Sequence, residues 1–329
     1  MLYRLGACAA VGFVLAAAAP IARAGEGADA SAPSVPQPAE IMPNASKSLV
    51  LGLAAAGDHL VAVGARGDIL LSDNGNDWKQ VAVPVRSALT AVDFVDAQDG
   101  WAVGHDAAIL HSSDGGATWT LQNFQPDLEK PFLGVLFLDK QRGFAVGAYG
   151  LFNRTVDGGA HWTAVDAPAI LADGLHLYSI RKLGNGDLFI AGEQGLLGRS
   201  ADGGQTWTKL DSGYKGTFFG AAPVGSSGVL VCGLRGNAYY AADVAAAAVA
   251  WQKIDTGATD SFFGCAPLAD GRVVMAGVNG IVSVFDPKTL KVSKVDDPVD
   301  IALSAVLPWK GGFVVGGEAG VRELADSAH

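Results

Sequence analysis

The sequence is poor in the residues from which most active sites and membrane spans are built. It has 3 cysteines, 6 histidines and 3 methionines among 329 residues. No H-E-x-x-H, G-x-S-x-G or Cys–His cluster occurs. Beyond the first residues, no stretch of about 18 residues is apolar without turn signals, so no membrane-spanning helix is expected. No catalytic, metal or cofactor site is predicted.

Basic residues are scarce as well. Acidic residues number 33 against 23 basic ones, and the formal net charge is −10. Nucleic acids and anionic membranes attract positively charged surfaces. An acidic chain therefore argues against both as general partners.

The N-terminus carries the features of a secretory signal. Arg4 precedes an apolar core, Ala7–Ala19, that is too short to span a bilayer, and Ala22-Arg23-Ala24 is a cleavage motif. We predict a signal peptide over residues 1–24, a flexible Ala/Ser/Pro-rich leader over residues 25–37, and an exported protein, periplasmic or secreted. Only Cys232 and Cys265 then remain. They permit one disulfide, or are two small buried side chains.

Glycine is abundant, with 44 residues, and much of it recurs in one repeated phrase. The first shared glycine of each copy follows the previous one by 40, 43, 45, 41, 44 and 40 residues. A period of about 40–50 residues indicates one supersecondary unit per repeat, here a propeller blade. The seven copies are Val63–Gly67, Val103–Ala107, Val146–Gly150, Ala191–Gly195, Cys232–Gly236, Ala276–Gly280 and Gly316–Gly320.

The second repeat shows how a blade forms. Ala88–Val95, Trp101–Gly104 and Ile109–Ser113 are predicted strands, and a fourth begins at Trp119. Residues 38–329 are thus predicted to form an all-β, seven-bladed propeller with four-stranded antiparallel blades. The last repeat supplies only three strands, so Pro38–Lys47 is predicted to close the ring as the missing strand.

A turn of the form D-x-G-x-x-W ends the third strand of four repeats. It matches the Asp-box, or BNR, repeat. The carboxylate can accept backbone N–H groups and the indole can be buried between blades, so these residues are predicted to be structural rather than catalytic or calcium-binding. They are Asp73, Trp78, Asp114, Trp119, Asp157, Trp162, Asp202 and Trp207.

The variable residues inside the repeated phrase are the candidate binding site. In a propeller the turn between strands two and three lies at the same face as the start of strand one, and varied loops on a rigid scaffold are where binding occurs. The alternative is that they are exposed turn residues only. The adjacent His105 and Asp106 fit a solvated turn better than a metal site. The set is Arg66, His105, Asp106, Tyr149, Glu193, Gln194, Arg235, Asn279 and Glu318.

Asp-box propellers include sialidases, so a secreted glycosidase is the alternative function. Sialidases need an arginine trio, a tyrosine nucleophile with a glutamate partner, and an acidic aspartate. Their Phe-Arg-Ile-Pro stretch is absent, and Ala65-Arg66-Gly67-Asp68 stands in its place.

The repeats resemble the photosystem II stability and assembly factor propellers of cyanobacteria and chloroplasts, and related exported bacterial proteins. The resemblance is strongest over Val92–Trp119 and Val135–Trp162, good over Ile180–Trp207, and looser in the other four repeats. It implies a non-enzymatic propeller without a cofactor, a role in photosynthesis, and a membrane-protein complex or exported protein as client, on the periplasmic or thylakoid-lumen side.

The sequence departs from that family in its arginines. The photosynthetic members carry an arginine-rich patch on one face. Here the arginines are scattered, as in Arg66, Arg142, Arg154, Arg181, Arg199 and Arg235.

Overall fold

Each copy of the repeated phrase belongs to its own antiparallel sheet, and seven such sheets are arranged as the blades of a propeller. A computed structural model describes residues 35–326, all within one compact unit. The seven-bladed fold predicted from the repeat is confirmed. The predicted signal peptide and most of the predicted leader lie outside the described residues. Among residues 35–326, no helix is long and apolar enough to cross a membrane.

Within residues 35–326, the first six blades each have four strands in sequence order from the centre of the ring to its rim, and the seventh has three. Blades 1 and 2 comprise β1 (Val50–Ala56), β2 (His59–Gly64), β3 (Ile69–Ser72), β4 (Lys79–Gln80), β5 (Leu89–Phe94), β6 (Gly100–Gly104), β7 (Ile109–Ser112) and β8 (Thr120–Asn123). Blades 3 and 4 comprise β9 (Phe132–Phe137), β10 (Gly143–Gly147), β11 (Phe152–Thr155), β12 (Thr163–Ala164), β13 (Leu177–Lys182), β14 (Leu188–Gly192), β15 (Leu197–Ser200) and β16 (Thr208–Leu210), with a short helix α1 (Pro168–Leu171) between them. Blades 5 to 7 comprise β17 (Phe218–Val224), β18 (Gly228–Gly233), β19 (Ala238–Ala241), β20 (Gln252–Ile254), β21 (Phe262–Pro267), β22 (Val273–Gly277), β23 (Val282–Asp286), β24 (Lys291–Val295), β25 (Leu303–Trp309), β26 (Gly312–Gly317) and β27 (Gly320–Ala325).

The core lies between blades rather than in one central cluster. The second strand of each blade is covered on both faces by its neighbours, so it is apolar throughout, as in β6. One cluster shared by blades 1 and 2, for example, joins Val61 and Ile69 to Leu110 and Trp119.

The shared glycine at the end of each second strand is required by a close backbone crossing. In blade 6 a Cβ on Gly277 would lie 1.9 Å from the carbonyl oxygen of Ser261, just before β21. The next residue, Val278, donates its N–H to that same oxygen at 2.9 Å. All seven blades have this arrangement, with the absent Cβ 1.9–2.4 Å from the carbonyl. The glycine thus lets the turn after strand two lie against the entry to strand one.

The predicted closing strand is not formed. Within the described residues, 38–47 contain a single 3₁₀ turn, Ala45–Lys47, and no strand. The segment lies instead between blades 1 and 7. Ala39 donates its N–H to Val83 O at 3.0 Å and Gln80 Nε2 donates to Glu40 O at 2.9 Å, while the turn Ala45–Lys47 packs against β27. Pro38 and Pro43 lack the N–H groups that a ladder needs, which accounts for the difference.

The ring closes by side-chain packing between blades 7 and 1. Strand β1 packs against β25 and β26, and Val50 lies where a side chain on Gly316 would otherwise be. Asn76 Nδ2 donates to Glu323 Oε2 at 2.9 Å, and Lys310 Nζ donates to Asp73 O at 3.2 Å. The predicted four-stranded seventh blade is therefore replaced by a three-stranded blade whose outer strand is β27.

The backbone crossing predicts a strong effect of Gly277→Ala. A methyl group there meets backbone atoms that cannot move aside, so the free energy of unfolding should fall by about 3 kcal/mol, measured by urea denaturation. Gly271→Ala is the matched control, since its φ is +89° but nothing lies within 4 Å of the added Cβ. It should cost only about 1 kcal/mol. A loss at Gly277 no larger than that at Gly271 would show that the crossing tolerates an added methyl group.

Candidate functional site

The repeated phrase forms a 3₁₀ turn between the second and third strands in six of the seven blades. The second variable residue of each turn adopts a left-handed conformation, with φ of 59° at Arg66, 54° at Tyr149 and 57° at Arg235. Each turn also lies against the entry to strand one, so all the turns are at one end of the ring. We call this end the phrase face, and the end with the D-x-G-x-x-W turns the box face.

The candidate residues on the phrase face divide into two groups. Asp106 and Glu193 are half-buried and accept hydrogen bonds from residues just before the first strand of their own blade. Ser87 Oγ donates to Asp106 Oδ2, and His176 N–H donates to Glu193 Oε2 at 3.2 Å. These two side chains stabilise the turns and entries. The exposed group is Arg66, His105, Tyr149, Gln194, Arg235, Asn279 and Glu318.

A second ring of residues, which the repeated phrase does not include, surrounds the mouth of the central channel on the phrase face. The first strand of every blade has a β-bulge beside its entry, so that one residue there falls out of the pairing register. A bulge re-aims a side chain and is common beside functional sites. We call these residues, none of them predicted from the sequence, the bulge ring: Leu51, Thr90, Leu133, Tyr178, Phe219, Phe263 and Ser304.

The bulge ring had a sequence signal. In each repeat an apolar residue is followed by the bulge residue and then by Gly, Ala or Ser, as in Phe218-Phe219-Gly220 and Phe262-Phe263-Gly264. Two adjacent apolar residues break the alternation of a regular strand. The small third residue is needed because first strands approach closely: a Cβ on Gly264 would lie 3.2 Å from Ser304 O.

Aromatic side chains from blades 3 to 6 form one continuous arc on this face. Tyr149 meets His176 with ring centroids 4.6 Å apart, and His176 lies 6.0 Å from Tyr178. Tyr178 then meets Phe219 at 5.0 Å and Phe219 meets Phe263 at 5.2 Å, all edge to face. Tyr149 is 57% exposed and Phe263 37% exposed. The aromatic arc presents large apolar surface at the channel mouth, as residues that anchor a partner do.

Inside the bulge ring the channel is narrow, with a cavity of about 150 Å³. Towards the box face it carries the charged residues Arg181 and Asp93, at equivalent positions of β13 and β5. Asp93 Oδ2 accepts the N–H of Phe137 at 2.8 Å. Burial of its carboxyl group raises the pKa of Asp93 to about 6, against the opposing effects of the Phe137 N–H and Arg181. The two ends of the channel thus differ, one aromatic and one charged.

No metal centre accompanies these features in the part of the chain that the structure describes, since no three His, Cys, Asp or Glu side chains are grouped to hold an ion. His105 is exposed on its turn, and the neighbouring Asp106 is engaged by Ser87. The adjacent pair therefore does not converge on a common ligand.

Comparison with known sequences identifies the family. The profile of the family described as "Photosynthesis system II assembly factor YCF48" matches residues 71–132 and 121–289, more than half of the chain. The chain belongs to the YCF48 family. A relative in Cyanidioschyzon merolae, "Photosystem II stability/assembly factor HCF136, chloroplastic", is 41% identical over 58 residues. That alignment covers 17% of this chain and 13% of the relative.

Solved structures share the fold of this YCF48-family chain. A structure described as "YCF48 bound to D1 peptide" has a TM-score of 0.69 and 16% identity, covering 89% of this chain and 100% of the other. Virginiamycin B lyase from Staphylococcus aureus has a TM-score of 0.70 and 11% identity, covering 88% and 98%. Since an enzyme has the same architecture, the fold alone does not decide between binding and catalysis.

The arginines of this YCF48-family chain lie on different parts of the molecule. Arg66 and Arg235 are on the phrase face at blades 1 and 5, and Arg142 pairs with Asp139 beside the box face at 2.7 Å. Arg181 lines the channel, and Arg199 pairs with Asp187 at 2.6 Å. These five arginines do not gather into one patch, as their scatter in the sequence indicated.

The D-x-G-x-x-W turns are held by hydrogen bonds of the aspartate. Asp202 Oδ1 accepts from the hydroxyl of Ser200 at 2.8 Å and from the N–H of Thr206 at 2.9 Å. Bonds from the Thr206 hydroxyl and N–H lower the pKa of Asp202 to about 2. Asp114 and Asp157 make equivalent bonds. Trp119 and Trp207 are buried, whereas Trp78 and Trp162 are partly buried in the clusters between blades.

Blade 1 corrects the prediction for Asp73. Its turn is one residue shorter, and Asn74, not Asp73, takes the position of the box aspartate. Asn74 Oδ1 accepts the N–H groups of Asn76 and Asp77, each at 2.9 Å. Asp73 is 83% exposed and contacts His59. The sequence pattern aligned Asp73 with the aspartates of the other three turns. The hydroxyl of Ser72, however, sets the register of the turn and selects Asn74.

This assignment predicts different costs for two neighbouring substitutions. Asn74→Ala removes the acceptor for two backbone N–H groups and should lower the free energy of unfolding by about 1–2 kcal/mol. Asp73→Ala, at an exposed position, should cost less than about 0.5 kcal/mol. Urea denaturation measures both. A larger loss for Asp73→Ala would restore the assignment from the sequence.

The raised pKa of Asp93 predicts a pH-dependent stability. Between the ordinary value of 3.8 and about 6, the carboxyl group ionises in the unfolded chain but stays neutral in the folded one. The neutral carboxyl group of Asp93 thus contributes fully to the stability of the fold below pH 3.8, and this contribution is lost as the pH rises through 6. Asp93→Asn should therefore be more stable than wild type at pH 7, by about 1–3 kcal/mol in urea denaturation, and equal to it near pH 4.

Asp96→Asn is the control of opposite sign. The Asp99 N–H and Lys140 lower the pKa of Asp96 to about 2, so this change should destabilise the fold at neutral pH. An Asp93→Asn variant less stable than wild type at pH 7 would mean that the ionised carboxylate is favourable in the channel.

Proposed function

We propose that this chain is a non-enzymatic, exported assembly factor that holds an extended segment of a membrane-protein client on its phrase face. The observation that carries the proposal is the aromatic arc at the channel mouth, beside the exposed variable residues. Large aromatic side chains on a rigid scaffold are the usual anchors of protein and peptide partners. A ring of separate contacts suits an extended chain better than one small substrate.

Family membership supports the same role. The related YCF48 structure is described as bound to a D1 peptide, and the chloroplast relative is called a photosystem II stability and assembly factor. This chain aligns with only 13% of that relative's length. That a membrane-protein complex is the client of this chain is therefore part of our proposal. Export follows from the predicted signal peptide. The client segment is then one exposed on the periplasmic or luminal side of a membrane-protein complex.

The site chemistry gives the glycosidase alternative no comparable support. A sialidase site gathers three arginines around one carboxylate, but Arg66, Arg142 and Arg181 lie on the phrase face, beside the box face and in the channel. The box aspartates are occupied with backbone N–H groups of their own turns.

A capture experiment with face-specific variants tests the proposal. The tagged mature chain is used to recover proteins from detergent-solubilised membranes of its own cell, with mass spectrometry as the readout. Phe219→Ser with Phe263→Ser removes two anchors, and client recovery should fall by about tenfold or more. Arg66→Glu with Arg235→Glu should also weaken capture, because both arginines are exposed on the phrase face. Each variant should keep the wild-type melting temperature within a few degrees, since these side chains are not fully buried.

Lys140→Glu with Arg142→Glu is the matched control beside the box face, and it should capture the client normally. Normal capture by the phenylalanine variant, with loss of capture in the control, would contradict the proposal and indicate that the partner binds at the box face. A sialoside hydrolysis assay completes the test: turnover that disappears in Asp114→Asn without unfolding would contradict the non-enzymatic role.

A further inference from the structure

Two buried thiols meet across the boundary between blades 5 and 6. Cys232 lies on β18 and Cys265 on β21, and both are free thiols. Gly220, paired with Cys232 in the sheet, leaves the space between them open. A Cβ on Gly220 would lie 2.8 Å from Cys265 Sγ and 3.0 Å from Cys232 Sγ. Both sulfur atoms thus border the space that a side chain at position 220 would occupy.

The two thiols differ in their access to solvent. Cys232 is completely buried, whereas Cys265 keeps 6% of its surface exposed and lines the central channel. Burial raises the pKa of the Cys232 thiol well above its usual value, and the neighbouring Cys265 adds to this effect. Of the two residues, only Cys265 borders the channel, and we infer that an incoming reagent reaches its thiol first and that Cys232 is the resolving thiol.

We propose that Cys232 and Cys265 are an oxidisable pair that forms a disulfide bond joining blades 5 and 6. Three features together support this assignment: the shared space beside Gly220, the position of the residues on neighbouring blades, and the access to Cys265 from the channel. The inference does not depend on the proposed client-binding function, because the pair lies in the channel wall rather than among the exposed phrase residues.

The chemistry is thiol–disulfide exchange with a disulfide-bearing oxidant. The Cys265 thiolate attacks one sulfur of the oxidant, its S–S bond breaks, and the first oxidant thiol leaves with a proton. Cys232 then loses its proton and attacks Cys265 Sγ in the mixed disulfide, and the second oxidant thiol leaves. The two cysteines are oxidised by two electrons, and the oxidant's disulfide is reduced to two thiols.

Thiol mapping tests the bond directly. A chain carrying Cys8→Ser, so that only this pair reports, is refolded with hydroxyethyl disulfide or treated with it when already folded. It is then denatured, alkylated and analysed by peptide mass spectrometry. We expect one linked peptide pair containing Cys232 and Cys265, with neither thiol alkylated. Oxidation should also raise the melting temperature by roughly 5 °C or more relative to the dithiothreitol-reduced chain.

Single substitutions separate the two steps. In Cys232→Ala, Cys265 should retain a stable mixed disulfide after refolding, because no second thiol resolves it. The variant lacking both thiols should show no difference in melting temperature between oxidising and reducing conditions. Gly220→Ala fills the space between the sulfurs and should slow linkage at least about tenfold, whereas Gly225→Ala, with nothing within 4 Å of its added Cβ, should not.

The proposal is overturned if both thiols of the Cys8→Ser chain remain fully alkylated after refolding with the disulfide reagent. It is equally overturned if only a mixed disulfide on Cys265 accumulates while Cys232 stays free. Should Gly220→Ala fail to fold, the peptide map and the single-cysteine variants still decide the outcome.

Discussion

The contact on which the architecture depends is the backbone crossing at the end of each second strand. There the N–H after a glycine binds the carbonyl just before strand one, and the glycine has no room for a side chain. This contact fixes the turn after strand two beside the entry to strand one. It therefore brings the variable turn residues and the bulge ring to the same face, although they are about 15 residues apart in sequence. The scaffold sets the position of the site, and the site residues are free to differ.

Much of the fold could be predicted because its signals repeat. The glycine spacing gave the number of blades, and the second repeat gave the strand order. The ring closure could not be predicted by counting an offset back from Leu49, because Pro38 and Pro43 prevent the ladder that the offset implied. In the same way, Asp73 matched the motif by letter, whereas the hydroxyl of Ser72 selects Asn74 in a shorter turn.

The candidate site was only half predictable. The turn residues such as Tyr149 and Arg235 follow from the repeat, since each occupies an equivalent left-handed position. The bulge ring depends on a local register shift, whose trace in the sequence is a break in the alternation before a small residue, as in Phe218-Phe219-Gly220. Its aromatic members are also confined to one side: Tyr178, Phe219 and Phe263 lie on blades 4 to 6, whereas Thr90 and Ser304 on blades 2 and 7 are small and polar. A partner held by the aromatic arc would thus lie off the axis of the ring.

The three-stranded seventh blade has a consequence for how such rings change in evolution. In a propeller sealed by strand exchange, the first and last repeats must be inherited as a matched pair. Here blades 7 and 1 share no sheet, and the 3₁₀ turn Ala45–Lys47 before β1 lies against β27, where the other blades have the segment after their own fourth strand. Gene rearrangements that move the start of the chain to another blade, or that duplicate a terminal repeat, would have to keep this short turn but not an exchanged strand. The order of the blades along the gene is therefore less constrained than their order around the ring.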